Sequence, residues 1–201
     1  MEPAFHIFIA DDHPLYLQAL AEGLAGQLAN VRISKADNYL DLFEGISDSI
    51  DDLDLLLLDL SMPGSSGFSG LYFLRRHFPE LPIVVISAQD DLTIRNECLS
   101  LGTAYLSKST PPAEIYAYIT DILEGSFKRP QPEQVEAQAC YQKLDALTPS
   151  QFKVLHLIAA GHANKEIAQR LHISEKTVKA HVTAIFAKLG VKNRTQAALL
   201  L

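Results

Sequence analysis

Cysteine is nearly missing from this chain. Its two residues of 201, Cys98 and Cys140, have neither metal-ligand spacing nor the density of a disulfide framework, and both read as ordinary thiols. Long apolar runs are missing too: none approaches the roughly 20 residues needed to cross a bilayer, and no basic-then-apolar opening resembles a secretory signal. The expectation is a soluble, cytoplasmic protein with no membrane partner. There is no internal repeat and no low-complexity tract, and a hydrophobic content of 48% excludes a disordered chain and suffices for the core of one large domain or two small ones.

Positive charge is scarce over the first two thirds. Residues 1–127 hold 6 Lys and Arg against 19 Asp and Glu, a balance of −13, whereas residues 128–201 hold 11 against 5, a balance of +6. Such asymmetry implies two domains with different partners, the basic one suited to nucleic acid.

Short apolar runs at Phe5–Ala10, Val31–Ala36, Leu53–Leu58, Pro82–Ser87 and Thr103–Leu106 read as strands. Helix-length stretches at Pro14–Leu28, Tyr39–Ser49, Gly67–Phe78 and Leu92–Leu101 separate them, and Pro112–Leu123 follows the last. Gly102 is a helix stop. This alternation predicts a flavodoxin-like, doubly wound α/β domain over 1–125, with five parallel strands in the order 2-1-3-4-5. Residues 126–143, SFKRPQPEQVEAQACYQK, are polar and read as a linker. From 144 to 201 the pattern is that of a small all-α domain. Thr148-Pro149-Ser150-Gln151 forms a capping box with Pro at the first helical position, and short helices follow at Lys165–Leu171, Glu175–Leu189 and Thr195–Leu201.

Ligands of open parallel sheets bind at the carboxyl ends of the strands. Those positions carry Asp11 and Asp12 after the first strand, Asp59 after Leu55-Leu56-Leu57-Leu58, Ser87 at the end of the fourth, and Lys108 just past the fifth. Three clustered carboxylates repel unless a cation joins them, and all-oxygen ligands suit Mg²⁺. A carboxylate nucleophile faced by a metal, an ammonium and a hydroxyl is equipped to accept a phosphoryl group, because that chemistry is mostly positioning and charge neutralisation.

With IADDHP, LLLLDLSMPG, VVISA and GTAYLSK in place, residues 5–125 resemble the receiver domain of two-component response regulators. The resemblance implies Asp11 and Asp12 as metal carboxylates, Asp59 as phosphoacceptor and metal ligand, and the Ser61 backbone carbonyl as a further ligand. It also implies Ser87 and Tyr105 as the switch pair, and Lys108 as the phosphoryl contact. Ser109 stands where many receivers have proline.

In the basic part, Ser174 caps a helix with Val178, Val182, Ile185, Phe186 and Leu189 on one face and Lys176, Lys179, Ala180 and Thr183 on the polar arc. A short amphipathic helix precedes it across His172-Ile173-Ser174. Two such helices make a helix-turn-helix whose second member enters the major groove. The stretch from Leu147 to Leu200 is closely similar to the LuxR-type domain, including Asn164-Lys165, Thr177-Val178-Lys179, His181 and Arg194. Both domains together resemble a response regulator of the NarL/FixJ family.

The expected function is a transcription factor activated when a sensor histidine kinase, or acetyl phosphate, phosphorylates Asp59. It would be no enzyme beyond slow self-dephosphorylation. Expected partners are Mg²⁺, double-stranded DNA with inverted-repeat half-sites, a second copy of the chain when active, and RNA polymerase. Lys179 is expected to contact a base and Ala180 a thymine methyl. Lys165 and Lys176 would hold phosphate, with Ser174, Thr177 and Thr183 completing the surface, and Ala198 and Leu199 would form the two-fold contact. The histidines, His13 included, lack metal spacing and read as structural or surface residues. A haloacid-dehalogenase-like phosphatase would need a second Asp two residues after the first, where Ser61 stands. A sensor of a diffusible ligand would need a large apolar pocket in place of the acid cluster.

Overall fold

Strands β1 (Phe5–Ala10), β2 (Val31–Ala36), β3 (Leu55–Leu58), β4 (Ile83–Ser87) and β5 (Ala104–Ser107) form one parallel sheet in the order β2-β1-β3-β4-β5, as the alternation predicts. The computed structural model describes residues 4–63, 68–89, 91–125 and 143–201. Helices α1 (Pro14–Gln27), α2 (Tyr39–Ser49), α3 (Ser69–His77), α4 (Leu92–Ser100) and α5 (Pro112–Leu123) alternate with and follow the strands. A 3₁₀ turn at Leu144–Ala146 precedes α6 (Pro149–Ala159), α7 (Asn164–Arg170), α8 (Glu175–Leu189) and α9 (Arg194–Ala198). Apart from Lys143, the expected linker lies outside the described residues. No helix among the described residues is long and apolar enough to cross a membrane.

All four leucines of β3 are buried, because a parallel sheet with helices on both faces has no wet side. Ile7, Ile9, Leu55, Leu57, Val84 and Ile86 pack with Leu20 and Leu24 of α1 and Ile115 and Ile119 of α5. On the other face the Phe8 ring occupies the space a side chain at Gly45 of α2 would need, 2.3 Å from a built Cβ. β3 begins at Leu55, two residues later than the pattern suggests. The reason is local: the carboxylate of Asp54, in place of a backbone carbonyl, accepts the His6 N–H at 2.7 Å.

The chain divides into two compact units, Met1–Pro63 with His77–Val135, and Gly64–Arg76 with Glu136–Leu201. Within the second, Phe73 of α3 stacks on Phe152 of α6, with ring centroids 3.8 Å apart. The Thr148 capping box forms as expected, Oγ1 accepting from Gln151 N–H at 3.3 Å and the Gln151 side chain from Thr148 N–H at 3.1 Å. Gly190 ends α8 at φ +68°, a left-handed conformation that glycine adopts without strain. The last helix runs Arg194–Ala198, earlier at both ends than expected. Asn193 caps it through Gln196 N–H at 2.9 Å, and the tighter Leu200 N–H to Ala197 carbonyl bond closes it. Cys98 is buried; burial, then the Glu97 charge, pushes its thiol up to about 12, which makes it inert. Cys140 lies outside the described residues.

Candidate functional site

Strand register decides which residues meet at the carboxyl edge. Ala10 is registered against Ala36 on one side and Leu58 on the other, so Asp11 and Asp59 leave the sheet side by side. Asp11 N–H donates to the Ala36 carbonyl at 3.0 Å and Asp59 N–H to the Ala10 carbonyl at 2.8 Å. Both carboxylates are only 2% exposed, a costly arrangement without compensation. Ser87 is registered against Ser107, which delivers Lys108 to the same place, its N–H donating to the Ser87 carbonyl at 2.8 Å. The Lys108 ammonium bonds Asp11 Oδ2 at 2.6 Å and Asp59 Oδ2 at 2.7 Å.

Burial alone would lower the Lys108 pKa. The hydrogen bonds and charges of Asp11 and Asp59 outweigh it, and the net shift is upward, so the ammonium stays charged at neutral pH. It lies 4.8 Å from the centroid of the Tyr16 ring, a cation–π distance. Burial, then the Asp11 charge, pushes the Tyr16 hydroxyl up to about 12.

One lysine does not neutralise three carboxylates. Asp59 Oδ1 accepts the Ser61 N–H at 3.0 Å, whereas Asp12 Oδ1 is enclosed and accepts no hydrogen bond among the described residues. His13 Nδ1 stands 2.8 Å from that oxygen, 3.2 Å from Asp11 Oδ1 and 3.9 Å from Asp59 Oδ2. Nδ1 hydrogen-bonds Asp11 Oδ1, and its contact with Asp12 Oδ1 is an ion pair when the imidazole is protonated. Single ligand atoms from Asp11, Asp12, His13 and Asp59 all lie within 4.8 Å of one another. An excess of negative charge and an orphaned carboxylate oxygen fit a divalent cation. His13, read from the sequence as structural or surface, thus belongs to the cluster.

Ser87 is buried, 1% exposed. Its Oγ accepts the Gln89 N–H at 3.2 Å, and the Tyr105 hydroxyl donates to the Gln89 carbonyl. The expected switch pair therefore shares one residue's backbone, and Ser87 in turn holds Lys108 by its carbonyl. Gln89 escaped the sequence reading because its contribution is main chain.

In the helical part, Ser174 Oγ accepts the Thr177 N–H at 3.0 Å and lies 2.8 Å from Thr177 Oγ1, so both hydroxyls are engaged at the start of α8. Val178, Ile185 and Leu189 are buried, and Lys176, Thr177, Lys179, Ala180 and Thr183 are exposed, as is Lys165 in the first turn of α7. His172 turns the chain between α7 and α8 at φ +52°. Lys179 Nζ pairs with Glu175 Oε1 at 3.0 Å across an exposed helix turn, and Thr183 Oγ1 donates to the Lys179 carbonyl at 3.0 Å. Arg194 is a clamp: its guanidinium donates to Asn164 Oδ1 at 3.3 Å and to the His162 carbonyl, tying α9 to the entry of α7. Ala198 is half-buried and Leu199 is 80% exposed.

Residues 7–120 match the family described as response regulator receiver domain, and residues 145–201 match that of bacterial regulatory proteins, luxR family. The chain is 36% identical to the glycerol metabolism activator of Pseudomonas putida, across 97% of this chain and 94% of the relative. It is 30% identical to the nitrate/nitrite response regulator protein NarP of Escherichia coli K12, across 98% and 94%. Among solved structures it is similar to RcsB from Salmonella enterica serovar Typhimurium, bound to promoter rprA in the presence of the phosphomimetic BeF3⁻. That likeness has 27% identity, a TM-score of 0.55 and coverage of 98% of both chains.

Proposed function

This chain is a response regulator of the NarL/FixJ family, a DNA-binding transcriptional regulator activated by phosphorylation, and from that premise we propose that Asp59 is the residue phosphorylated, with a sensor histidine kinase or acetyl phosphate as donor. The observation that carries this reading is the Lys108 ammonium bridging two buried carboxylates, Asp11 and Asp59, next to the unbonded oxygen of Asp12. In the transfer an Asp59 oxygen forms the new P–O bond while the donor's bond to phosphorus breaks, to a histidine nitrogen or to acetate. Mg²⁺, held by the carboxylates of Asp11, Asp12 and Asp59 and the Ser61 carbonyl, would neutralise charge on the transferring oxygens. Lys108, which bridges Asp11 and Asp59, would supply the second positive charge. The protein regulates and does not turn over a substrate, and self-dephosphorylation would be slow.

A phosphoryl group adds up to two negative charges and three acceptor oxygens at Asp59. Lys108 then has a stronger partner than Asp11, and its movement is felt at Ser87, through the Lys108 N–H, and at Tyr105, through Gln89. That chain of bonds is the route by which the receiver shifts to its active surface. The active form would be a homodimer, joined through Ala198 and Leu199 when on DNA. It sets two copies of α8 into major grooves of an inverted repeat about one turn apart and acts in the cytoplasm with RNA polymerase as a further partner. Lys179 would read a base and Ala180 a thymine methyl. Lys165 and Lys176 would hold phosphates beside Ser174, Thr177 and Thr183. Receiver, linker and DNA-binding domain would span 1–125, 126–143 and 144–201.

Genome-wide mapping of DNA occupancy tests the reading. Wild-type protein should occupy a defined set of inverted repeats under the inducing condition, and Asp59→Asn should lose them. Unchanged occupancy in the variant removes phosphorylation of Asp59 as the control.

A further inference from the structure

The imidazole of His13 has no role in the phosphoryl transfer as set out above, yet it is held among the carboxylates. Pro14 is the first residue of α1, and a residue before proline is pushed out of the helical region; His13 accordingly sits at φ −95°, ψ 99° in the cap position, where its side chain makes no capping hydrogen bond. Its backbone N–H is fixed to Asp11 Oδ1 at 2.9 Å. This leaves Nδ1 at 2.8, 3.2 and 3.9 Å from oxygens of Asp12, Asp11 and Asp59.

Those separations have a chemical meaning. In an octahedral shell with bonds of roughly 2.1 Å, adjacent ligand atoms stand about 3.0 Å apart and opposite ones about 4.2 Å. The imidazole nitrogen keeps the spacing of adjacent ligands from Asp12 Oδ1 and Asp11 Oδ1, and the Asp59 oxygen 3.9 Å away is the one that Lys108 holds. Nδ1 hydrogen-bonds Asp11 Oδ1 at 3.2 Å and stands 2.8 Å from Asp12 Oδ1, which accepts no hydrogen bond among the described residues, so a cation bound here would take the place of the proton that Nδ1 shares with these oxygens. Lys108 takes up Oδ2 of Asp11 and Oδ2 of Asp59, and leaves Oδ1 of Asp11 and Asp12 on the histidine's side.

We propose that His13 Nδ1 is a metal ligand of this site for first-row transition ions, so that the receiver takes Mn²⁺ with a nitrogen in its shell and Mg²⁺ with oxygens alone. Mg²⁺ favours hard oxygen ligands, whereas imidazole suits the transition ions in the order of their general affinity. The inference rests on the acid cluster being the receiver's metal site and adds to it a selectivity determined by His13.

Pulsed electron paramagnetic resonance on the full chain with Mn²⁺ tests it. The wild-type spectrum should show coupling to a directly bound ¹⁴N, converted to ¹⁵N coupling when the protein is labelled with ¹⁵N-histidine. His13→Asn should abolish the coupling and lower the ratio of Mn²⁺ to Mg²⁺ affinity, measured by calorimetric titration, by at least about tenfold. Mn²⁺ bound with no nitrogen coupling in the wild type overturns the inference and leaves the Asp59 site standing. Coupling that persists in His13→Asn overturns it as well, because another nitrogen is then the ligand. If neither ion binds the wild type, the acid cluster is not a metal site and the underlying reading falls with the inference.

Discussion

Replacing Lys108 by methionine isolates the charge at the centre of the site. The substitution keeps an unbranched apolar stem against Tyr16 and removes the ammonium that bonds Asp11 Oδ2 at 2.6 Å and Asp59 Oδ2 at 2.7 Å. Each charge-assisted bond contributes about 1.5–3 kcal/mol, and Lys108, with a side chain 12% exposed, is little screened by solvent. Relief of the lysine's own desolvation offsets part of this, while the two carboxylates left behind repel each other at 2% exposure. The net loss is about 3 kcal/mol, the range found when one partner of a buried pair is removed. With a slope of about 2 kcal/mol per M urea, the receiver's midpoint falls by about 1.5 M in metal-free buffer. The chain has no tryptophan, so far-UV circular dichroism follows the unfolding, and the transition that responds to Mg²⁺ identifies the receiver. Cation binding to the folded state alone adds stability, and an acid cluster without its lysine binds cations more tightly. Added Mg²⁺ should therefore raise the variant's midpoint more than the wild type's. A loss below about 1 kcal/mol, or equal Mg²⁺ increments in the two proteins, refutes the account of how these charges balance.

On DNA, Lys179→Ala should cost roughly 1–3 kcal/mol and relax preference at one position per half-site, whereas Lys165→Ala should weaken all sequences alike and reduce the salt slope by about 1. The exposed Glu175–Lys179 pair is worth at most about 1 kcal/mol and does not keep Lys179 from a base. A panel of mutated operators at several salt concentrations separates the two lysines, and uniform weakening by Lys179→Ala would make it a phosphate contact. His156 is 2% exposed and lies edge-on to Phe152, and burial lowers its pKa from 6.5 to about 3. The folded state keeps it neutral while the unfolded chain takes up a proton, so its contribution is complete above pH 6.5. Between pH 6.5 and about 3 it is lost at up to about 1.4 kcal/mol per pH unit. His156→Phe should flatten the pH dependence of unfolding by that one proton, and an unchanged slope counts against a buried neutral imidazole.

The sheet and its acid edge were legible because they are written in types with few alternatives. Four successive leucines that end on Asp59 read as a doubly covered strand delivering a charge, and the lysine past the fifth strand has little other reason to follow an apolar run. What escaped depends on directions and on main chain. His13 adjoins the acid pair in sequence, but only the restriction imposed by Pro14 explains where its Nδ1 stands. Gln89 links Ser87 to Tyr105 through its peptide groups, which no side-chain pattern announces. Arg194 and Asn164 fall within the stretch that resembles the LuxR-type domain, yet their hydrogen bond spans 30 positions and emerges only when α9 packs beside α7. β3 starts two residues later than its apolar pattern suggests, because propensity does not reveal that Asp54 competes for a strand N–H.

The central claim is that the buried carboxylate at the end of β3 accepts the phosphoryl group. Incubation with acetyl phosphate and Mg²⁺, followed by borohydride trapping of the acyl phosphate and peptide mass spectrometry, tests it directly. The account predicts one modified residue, Asp59, in the wild-type protein and no modification in Asp59→Asn. Equal labelling of the variant, with the modification mapped to another residue, would contradict it.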